Sequence, residues 1–237
     1  MSKMRRMALQ MAVNPAKATE ADLDIFDDID GSKDWWTGED MGIGPKTIQD
    51  FLQKNPDVDT INVNINSHGG DVFDGMAIRN LLADSGKTVN VKVVGIAASI
   101  ASVIATAGDT VTMHNTSQMM VHNCWTSVWG ANAKELRKLA DDMDKIMESS
   151  KVAYLDKAGG KLTAEKLDEL LDAETYLTAE ECKEYGLCDV ILDSKGQPIK
   201  PEPEPEPTEP GPQESTKKVE DKQPDMTAMA TEKPWFF

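Results

Sequence analysis

The sequence predicts an α/β protein whose parallel strands are joined by crossover helices. Segments with a two-residue apolar period alternate along the chain with segments of helical period, and the first strands are each followed by a helix. This order is typical of parallel strands, because strands that run in the same direction need a long connection between them. The chain has 237 residues, of which 40% are hydrophobic, and this is enough to bury a substantial core.

The first half of the chain supplies three predicted strands, each followed by a helix. The strands are predicted over residues 23–29, 61–66 and 89–93, and the helices over residues 46–53, 75–84 and 97–107. The alternation of Ile61, Val63 and Ile65 with asparagine residues is typical of a half-buried strand. The third helix is predicted from its alanine content, since alanine is the strongest helix former.

The second half predicts two further strands and several helices. The strands lie near residues 110–113 and 118–121, and a long helix is predicted over residues 131–155. Thr163 and Thr178 stand where helix N-caps are expected. The long helix carries an apolar stripe with no evident use within the chain, which favours packing between subunits. The stripe consists of Leu136, Leu139, Met143, Ile146, Met147 and Val152.

Charge and cysteine content limit the classes of partner. The chain has 25 Lys and Arg against 41 Asp and Glu, a formal net charge of −16, so we expect neither a nucleic-acid nor a membrane partner. No apolar run approaches the roughly 20 residues of a membrane span, and the first ten residues lack the apolar segment of a secretory signal. Three cysteines without a Cys-x-x-Cys pair fit reduced thiols in an intracellular protein.

The composition changes sharply near Ser194. From Pro201 onward, proline alternates with glutamate, a pattern that favours an extended acidic segment over a packed core. We therefore predict a flexible segment over residues 1–19, a folded domain over residues 20–194 and a disordered tail over residues 195–237. The last three residues are Trp-Phe-Phe, which fit either an unstructured end or a docking peptide.

Ser99 is the first candidate for chemistry. It follows Gly95 and two alanines at the predicted transition from strand to helix. A serine at such a turn lies near free amide N–H groups, which favours a nucleophile or a bound oxyanion. Small residues around a serine equally fit a closely packed buried helix, so the segment alone leaves both interpretations open.

Three further features could support a reactive serine. Gly69 and Gly70 follow the second strand, where paired glycines let amide N–H groups face a ligand or form an ordinary turn. His122 ends an apolar strand and fits either a general base or a structural histidine. Asp172 and Glu174 precede a predicted helix, where carboxylates can orient an imidazole or remain solvated charges.

The order of these segments resembles the ClpP family of serine peptidases. The matching blocks, in chain order, cover residues 66–72, 95–99, 120–123, 176–181 and 184–189. Each block is weakly specific, but their common order and spacing extend the resemblance over roughly residues 20–193. The Asp-Trp-Trp-Thr-Gly segment near residue 35 is most similar to the head-maturation proteases of tailed bacteriophages.

The resemblance implies a ClpP/crotonase-like fold of stacked, parallel-rich sheets, a homo-oligomeric ring and a role for each candidate residue. Ser99 would be the nucleophile and His122 the general base, with the amides of Gly70 and Ile100 as the oxyanion hole. A gapless match makes Glu174 the acid, and this is the assignment we favour because nothing demands a gap; a two-residue gap would make it Asp172.

One departure from the family pattern concerns the substrate loop. His68 replaces a proline beside Gly69, and we expect it to have a neutral role in the loop that receives the substrate strand. Cys124 is expected to be a nearby, non-catalytic thiol. The chemistry implied by the resemblance requires no metal and no organic cofactor.

The expected function is an ATP-independent serine endopeptidase that cleaves scaffold or capsid proteins, in the host cytoplasm or inside the viral prohead. Three alternatives stay open: a cytosolic ClpP-type subunit fed by an ATPase unfoldase, a crotonase-like acyl-CoA enzyme, and an inactive capsid-assembly scaffold with the same fold. The blocks around Ser99 and His122, and the shortage of basic residues for CoA phosphates, argue against the acyl-CoA enzyme.

Overall fold

A computed structural model of the chain describes residues 12–13 and 19–199. Most of the predicted flexible segment over 1–19 and of the predicted tail over 195–237 lies outside these residues. Within the described part, no helix is both long enough and apolar enough to cross a bilayer.

The described residues form eight strands and six helices. The strands are β1 (Ala12–Val13), β2 (Glu20–Ile25), β3 (Thr60–Ser67), β4 (Thr88–Ala98), β5 (Thr110–His114), β6 (Gln118–Val121), β7 (Thr175–Thr178) and β8 (Val190–Leu192). The helices are α1 (Pro45–Lys54), α2 (Val72–Ala83), α3 (Ile100–Ala105), α4 (Ala133–Ala158), α5 (Ala164–Asp172) and α6 (Ala179–Glu184).

The strands form one sheet in the order β1-β2-β3-β4-β5-β8, with β6 and β7 as a branch. Strands β2, β3, β4, β5 and β8 run parallel, whereas β1 is antiparallel to β2. The branch begins where β6 pairs in parallel with the end of β4, and β7 then adds antiparallel to β6. The predicted α/β fold with parallel strands and crossover helices is therefore confirmed.

The core lies between this sheet and the helices that connect its strands. Ile61, Val63 and Ile65 are fully buried, as the alternation in β3 predicts, and Ile48 and Phe51 of α1 belong to the same core. Burying each such side chain contributes about 1.5–3 kcal/mol relative to leaving it in water.

Strand β4 is longer than predicted, because a bulge carries it past Gly95. Ile65 pairs with Val93 but Ser67 pairs with Ala97, so β4 has two more residues than β3 across this interval. The Asn66 side chain fills the gap, since its Oδ1 accepts a hydrogen bond from the Ile96 amide at 3.2 Å. A Cβ on Gly95 would lie only 2.4 Å from this oxygen, which explains the glycine. The bulge extends β4 directly to Ser99.

The long helix α4 buries only part of its predicted apolar stripe. Met147 is buried, together with Ala153 and Tyr154, which lie outside that stripe. Leu136 and Val152 remain 47% and 56% exposed. The chain alone therefore leaves much of the stripe unpacked, and its predicted use between subunits stays a prediction.

The two predicted N-caps are confirmed. The Thr163 hydroxyl accepts a hydrogen bond from the Lys166 amide at the start of α5, and Thr178 forms a complete capping box with Glu181 at the start of α6. This cap fixes where β7 ends and α6 begins.

Candidate active site

Ser99 lies at the sharp turn between β4 and α3. Its backbone has φ 54° and ψ −131°, a conformation that costs a non-glycine residue on the order of 1–3 kcal/mol. The turn persists because both of its peptide groups are held: the Ser99 amide donates to the Met120 carbonyl at 2.8 Å, and the Ser99 carbonyl accepts from the Ser102 amide at 3.0 Å. The predicted strand-to-helix turn at Ser99 is therefore present, in a strained form that exposes the hydroxyl.

His122 follows β6 and reaches this hydroxyl. Because β6 pairs in parallel with the end of β4, with Ala98 opposite Met120, the residues that follow each strand lie side by side. The distance between His122 Nε2 and Ser99 Oγ is 2.7 Å. This is a hydrogen-bond distance, and it permits the imidazole to take the hydroxyl proton.

The Gly69-Gly70 turn packs directly against Ser99. Gly69 has φ +96°, and a Cβ there would lie 2.8 Å from Ser99 Cβ. Gly70 has φ +151°, and a Cβ there would lie 2.2 Å from the Ile29 carbonyl oxygen. Both positions therefore require glycine. The Ile29 backbone bonds to the Gly69 carbonyl and the Asp71 amide at 2.8 and 2.7 Å, and neither bond uses the Gly70 N–H.

Ile100 contributes the other predicted oxyanion donor. It is the first residue of α3, so its amide belongs to the first turn and has no acceptor within the helix. Its side chain is buried against α2, because a Cβ added to Gly75 would lie 2.1 Å from Ile100 Cγ1. The position of the Ile100 amide is thus fixed by the packing of two helices.

The two candidate acids occupy different places. In β7, Thr175 pairs with Val121, so Glu174 and His122 are the residues next to the last pair of this antiparallel register. Glu174 has a left-handed backbone, with φ 49°, at the turn between α5 and β7. Asp172 instead accepts a hydrogen bond from the Asn123 side-chain amide, at 2.7 Å. Among the hydrogen bonds of the described residues, His122 bonds to neither carboxylate.

A cleft of about 680 Å³ opens in front of Ser99 and His122. The predicted loop residues His68, Gly69 and Gly70 line this cleft. Asp172 borders a separate cavity of about 530 Å³ between α4 and α5. The structure thus brings together Ser99, His122 and the glycine turn. Neither Asp172 nor Glu174 is among the residues that line this cleft.

Cys124 also lines the cleft but is a poor nucleophile. Burial is the main cause that raises the pKa of its thiol above the usual value. A thiol with a raised pKa stays protonated near neutral pH, and the thiolate is the reactive form. The expectation of a non-catalytic thiol is consistent with this environment.

Sequence reasoning missed two polar residues behind Ser99. Ser102 is fully buried, and its hydroxyl lies 2.6 Å from the Ser99 carbonyl oxygen and 2.6 Å from the Tyr154 hydroxyl. Ser102 follows Ser99 by three residues, and this spacing was the one available signal. Tyr154 is 52 residues away, so no local pattern connects it to the site.

Comparison with known proteins places this site in a family. A family model described as Clp protease matches residues 48–195. A relative from Prochlorococcus marinus subsp. pastoris, named ATP-dependent Clp protease proteolytic subunit 1, is 30% identical over 152 residues, which is 63% of this chain and 75% of the relative. A protein of the same name from Prochlorococcus marinus strain MIT 9312 is 31% identical over 153 residues, with the same coverage.

The family-model match spans the residues from the glycine turn through Ser99 and His122 to α6. The family model covers more than half of the chain, and the relatives are matched over three quarters of their length. The chain therefore belongs to the Clp protease family.

Proposed function

We propose that this protein is a serine endopeptidase that uses Ser99 as nucleophile and His122 as general base. The observation that carries the proposal is the 2.7 Å hydrogen bond between Ser99 Oγ and His122 Nε2, at the floor of an open cleft. A serine hydroxyl is a weak nucleophile by itself, and a histidine within hydrogen-bond distance activates it.

The mechanism is acyl transfer. His122 takes the Ser99 proton as Oγ attacks a peptide carbonyl, and it then gives that proton to the leaving amine. The amides of Gly70 and Ile100 stabilise the oxyanion of the tetrahedral intermediate. Water activated by His122 then hydrolyses the acyl-enzyme. Hydrolysis of a peptide bond needs no nucleotide, so the chemical step is ATP-independent.

The third member of the triad is Glu174 in this proposal. This choice is supported by the β6–β7 register, whose last pair is adjoined by both Glu174 and His122, and by the hydrogen bond that engages Asp172 with Asn123. The proposal requires the Glu174 carboxylate to approach His122 when substrate is bound. Glu174→Gln should then lower kcat strongly and Asp172→Asn only weakly; the reverse ranking would make Asp172 the acid.

Hydrolysis of a fluorogenic peptide tests the activity itself. Ser99→Ala should abolish turnover, while Ser149→Ala, on the exposed surface of α4, should keep the wild-type rate. Turnover that survives Ser99→Ala would remove the proposal. A wild-type protein that binds its cognate proteins without cleaving them would instead fit the inactive assembly scaffold.

The proposed substrates are scaffold or capsid proteins of a tailed phage, cut in the host cytoplasm or inside the prohead by a ring of identical subunits. This finer assignment is supported by the similarity of the segment near residue 35 to head-maturation proteases. The relatives' names support a second candidate, a proteolytic subunit that works with an ATPase unfoldase.

Cleavage of two substrates separates these candidates. A head-maturation protease should cut a co-expressed scaffold protein without nucleotide or partner. An unfoldase-dependent subunit should leave that protein intact, and it should degrade a folded substrate only when the ATPase and ATP are added. Size-exclusion chromatography with light scattering measures the oligomeric state. A protein that elutes as a monomer would contradict the proposed ring.

A further inference from the structure

A chain of two buried hydroxyl groups ends on the backbone of Ser99. Tyr154, on α4, is 2% exposed, and its hydroxyl lies 2.6 Å from the Ser102 hydroxyl of α3. The Ser102 hydroxyl in turn lies 2.6 Å from the Ser99 carbonyl oxygen and 3.3 Å from the Met120 carbonyl oxygen. Neither Ser102 nor Tyr154 is among the residues that line the 680 Å³ cleft.

The direction of these hydrogen bonds follows from the number of protons that each group can donate. A carbonyl oxygen only accepts, so the Ser102 hydroxyl donates its single proton to the nearer carbonyl, that of Ser99. The Tyr154 hydroxyl must then be the donor to Ser102 Oγ. Burial raises the pKa of Tyr154 well above its usual value, so this donor keeps its proton at any working pH. Consecutive bonds of this kind polarise and strengthen one another.

The accepting carbonyl shares a peptide group with the Ile100 N–H. A peptide group is planar and its C=O and N–H point in opposite directions, so an anchored carbonyl fixes where the N–H points. We propose that Ser102 and Tyr154 are positioning residues that hold the Ser99–Ile100 peptide with its N–H directed at the substrate oxyanion. This inference rests on the proposed function, which makes the Ile100 amide an oxyanion donor.

The strain at Ser99 makes such an anchor necessary. With φ 54° and ψ −131°, Ser99 has a sparsely populated backbone conformation, which persists only where surrounding contacts hold it. The Ser102 amide also bonds to the Ser99 carbonyl, at 3.0 Å, so loss of the hydroxyl weakens the anchor without removing it. Complete loss of one oxyanion donor costs about 100- to 1,000-fold in rate, and a weakened anchor should cost about 10- to 100-fold.

Peptidase kinetics on Ser102→Ala test the proposal. The variant should lower kcat about 10- to 100-fold and leave KM within about twofold, because the oxyanion forms only after substrate is bound. The inhibition constant of a peptide aldehyde, whose adduct with Ser99 carries the same oxyanion, should rise by the same factor as kcat/KM falls. Tyr154→Phe should act in the same direction and more weakly, since it removes only the second hydroxyl.

Ser117→Ala is the matched control. Ser117 is buried, and its hydroxyl and amide both bond to the carbonyl three residues earlier, that of His114, at 2.8 and 2.9 Å. The substitution therefore removes the same kind of hydrogen bond in a turn between β5 and β6, away from the site. It should reproduce the part of the stability loss that comes from removing a buried serine hydroxyl, but leave kcat and the aldehyde inhibition constant unchanged.

The outcomes separate this inference from the proposed function. If wild-type cleavage depends on Ser99 but Ser102→Ala behaves like Ser117→Ala, the positioning role is wrong and the peptidase assignment stands. If Ser99→Ala cleaves normally, the assignment itself is wrong. If Ser102→Ala fails to fold, the double variant Ser102→Ala/Tyr154→Phe replaces it, because this variant leaves no buried hydroxyl unpaired. Its kcat then tests the positioning role. If the double variant also fails to fold, the kcat of Tyr154→Phe alone is the test.

Discussion

At the scale of single residues, the role proposed for Ser99 depends on neighbours that have no side chain. Gly69 allows the glycine turn to lie against Ser99, and a Cβ there would approach Ser99 Cβ to 2.8 Å. Its own backbone, at φ +96°, also disfavours any other residue. The closeness of this contact means that the glycine turn and Ser99 must move together.

Gly69→Ala should therefore abolish activity. Gly86→Ala is the control, because it introduces left-handed backbone strain without a contact like that between Gly69 and Ser99. Gly86 has φ +69° but open space around it, so its substitution costs only the left-handed strain, about 1–2 kcal/mol. Urea unfolding should show a loss for both variants, whereas peptide hydrolysis should fall at least about 100-fold only for Gly69→Ala. Equal activity in the two variants would show that the contact with Ser99 has no role.

The thiol of Cys124 gives a second test at this scale. Its raised pKa means that the neutral thiol persists through neutral pH, so the reactive thiolate accumulates only at more alkaline pH than for an exposed cysteine. Iodoacetamide should alkylate Cys124 more slowly than a free cysteine peptide at pH 8, and the rate should still be rising above pH 9. Alkylation faster than that of the peptide at pH 7 would indicate an activated cysteine instead.

At the scale of elements, the site is assembled by contacts that order the helices and strands. Helix α2 packs against α3 through Gly75, where a Cβ would lie 2.1 Å from Ile100 Cγ1. A side chain at this position must push α3, and with it the Ile100 amide, away from its place. The distance between two helices thus controls a backbone donor.

Gly75→Ala should lower kcat about 10-fold or more while the protein stays folded, because it displaces one oxyanion donor. The double variant Gly75→Ala/Ile100→Ala removes the atoms that clash and should recover part of the lost kcat. Circular dichroism and urea unfolding monitor the fold in both. A double variant no more active than Gly75→Ala would show that the displaced side chain is not the cause.

Local patterns predicted most of these elements but not their connections. The alternation in β3 and the caps at Thr163 and Thr178 are determined by adjacent residues, and they are confirmed. The extension of β4 past Gly95 was missed because it depends on a side chain of β3, that of Asn66. Strand β7 has only four residues and forms through its pairing with β6.

At the scale of the whole molecule, residues far apart in the chain form one site. Ser99 and His122 were predicted as partners from the order of the blocks, and the pairing of β6 with β4 explains how 23 residues of separation become 2.7 Å. The sequence favours Glu174 over Asp172 only through a gapless match, because the register of β6 with β7 and the turn after α5 exist only in the folded chain. The contact between Tyr154 and Ser102 likewise exists only in the folded chain.

The central claim is that His122 activates Ser99 for attack on a carbonyl. Reaction of the folded protein with a fluorophosphonate, followed by mass spectrometry of the digested peptides, measures this directly. We expect a single adduct on Ser99, formed at least about 1,000-fold more slowly in His122→Ala, since a serine without its base is a weak nucleophile. An adduct on another residue, or a Ser99 adduct formed equally fast without His122, would contradict it.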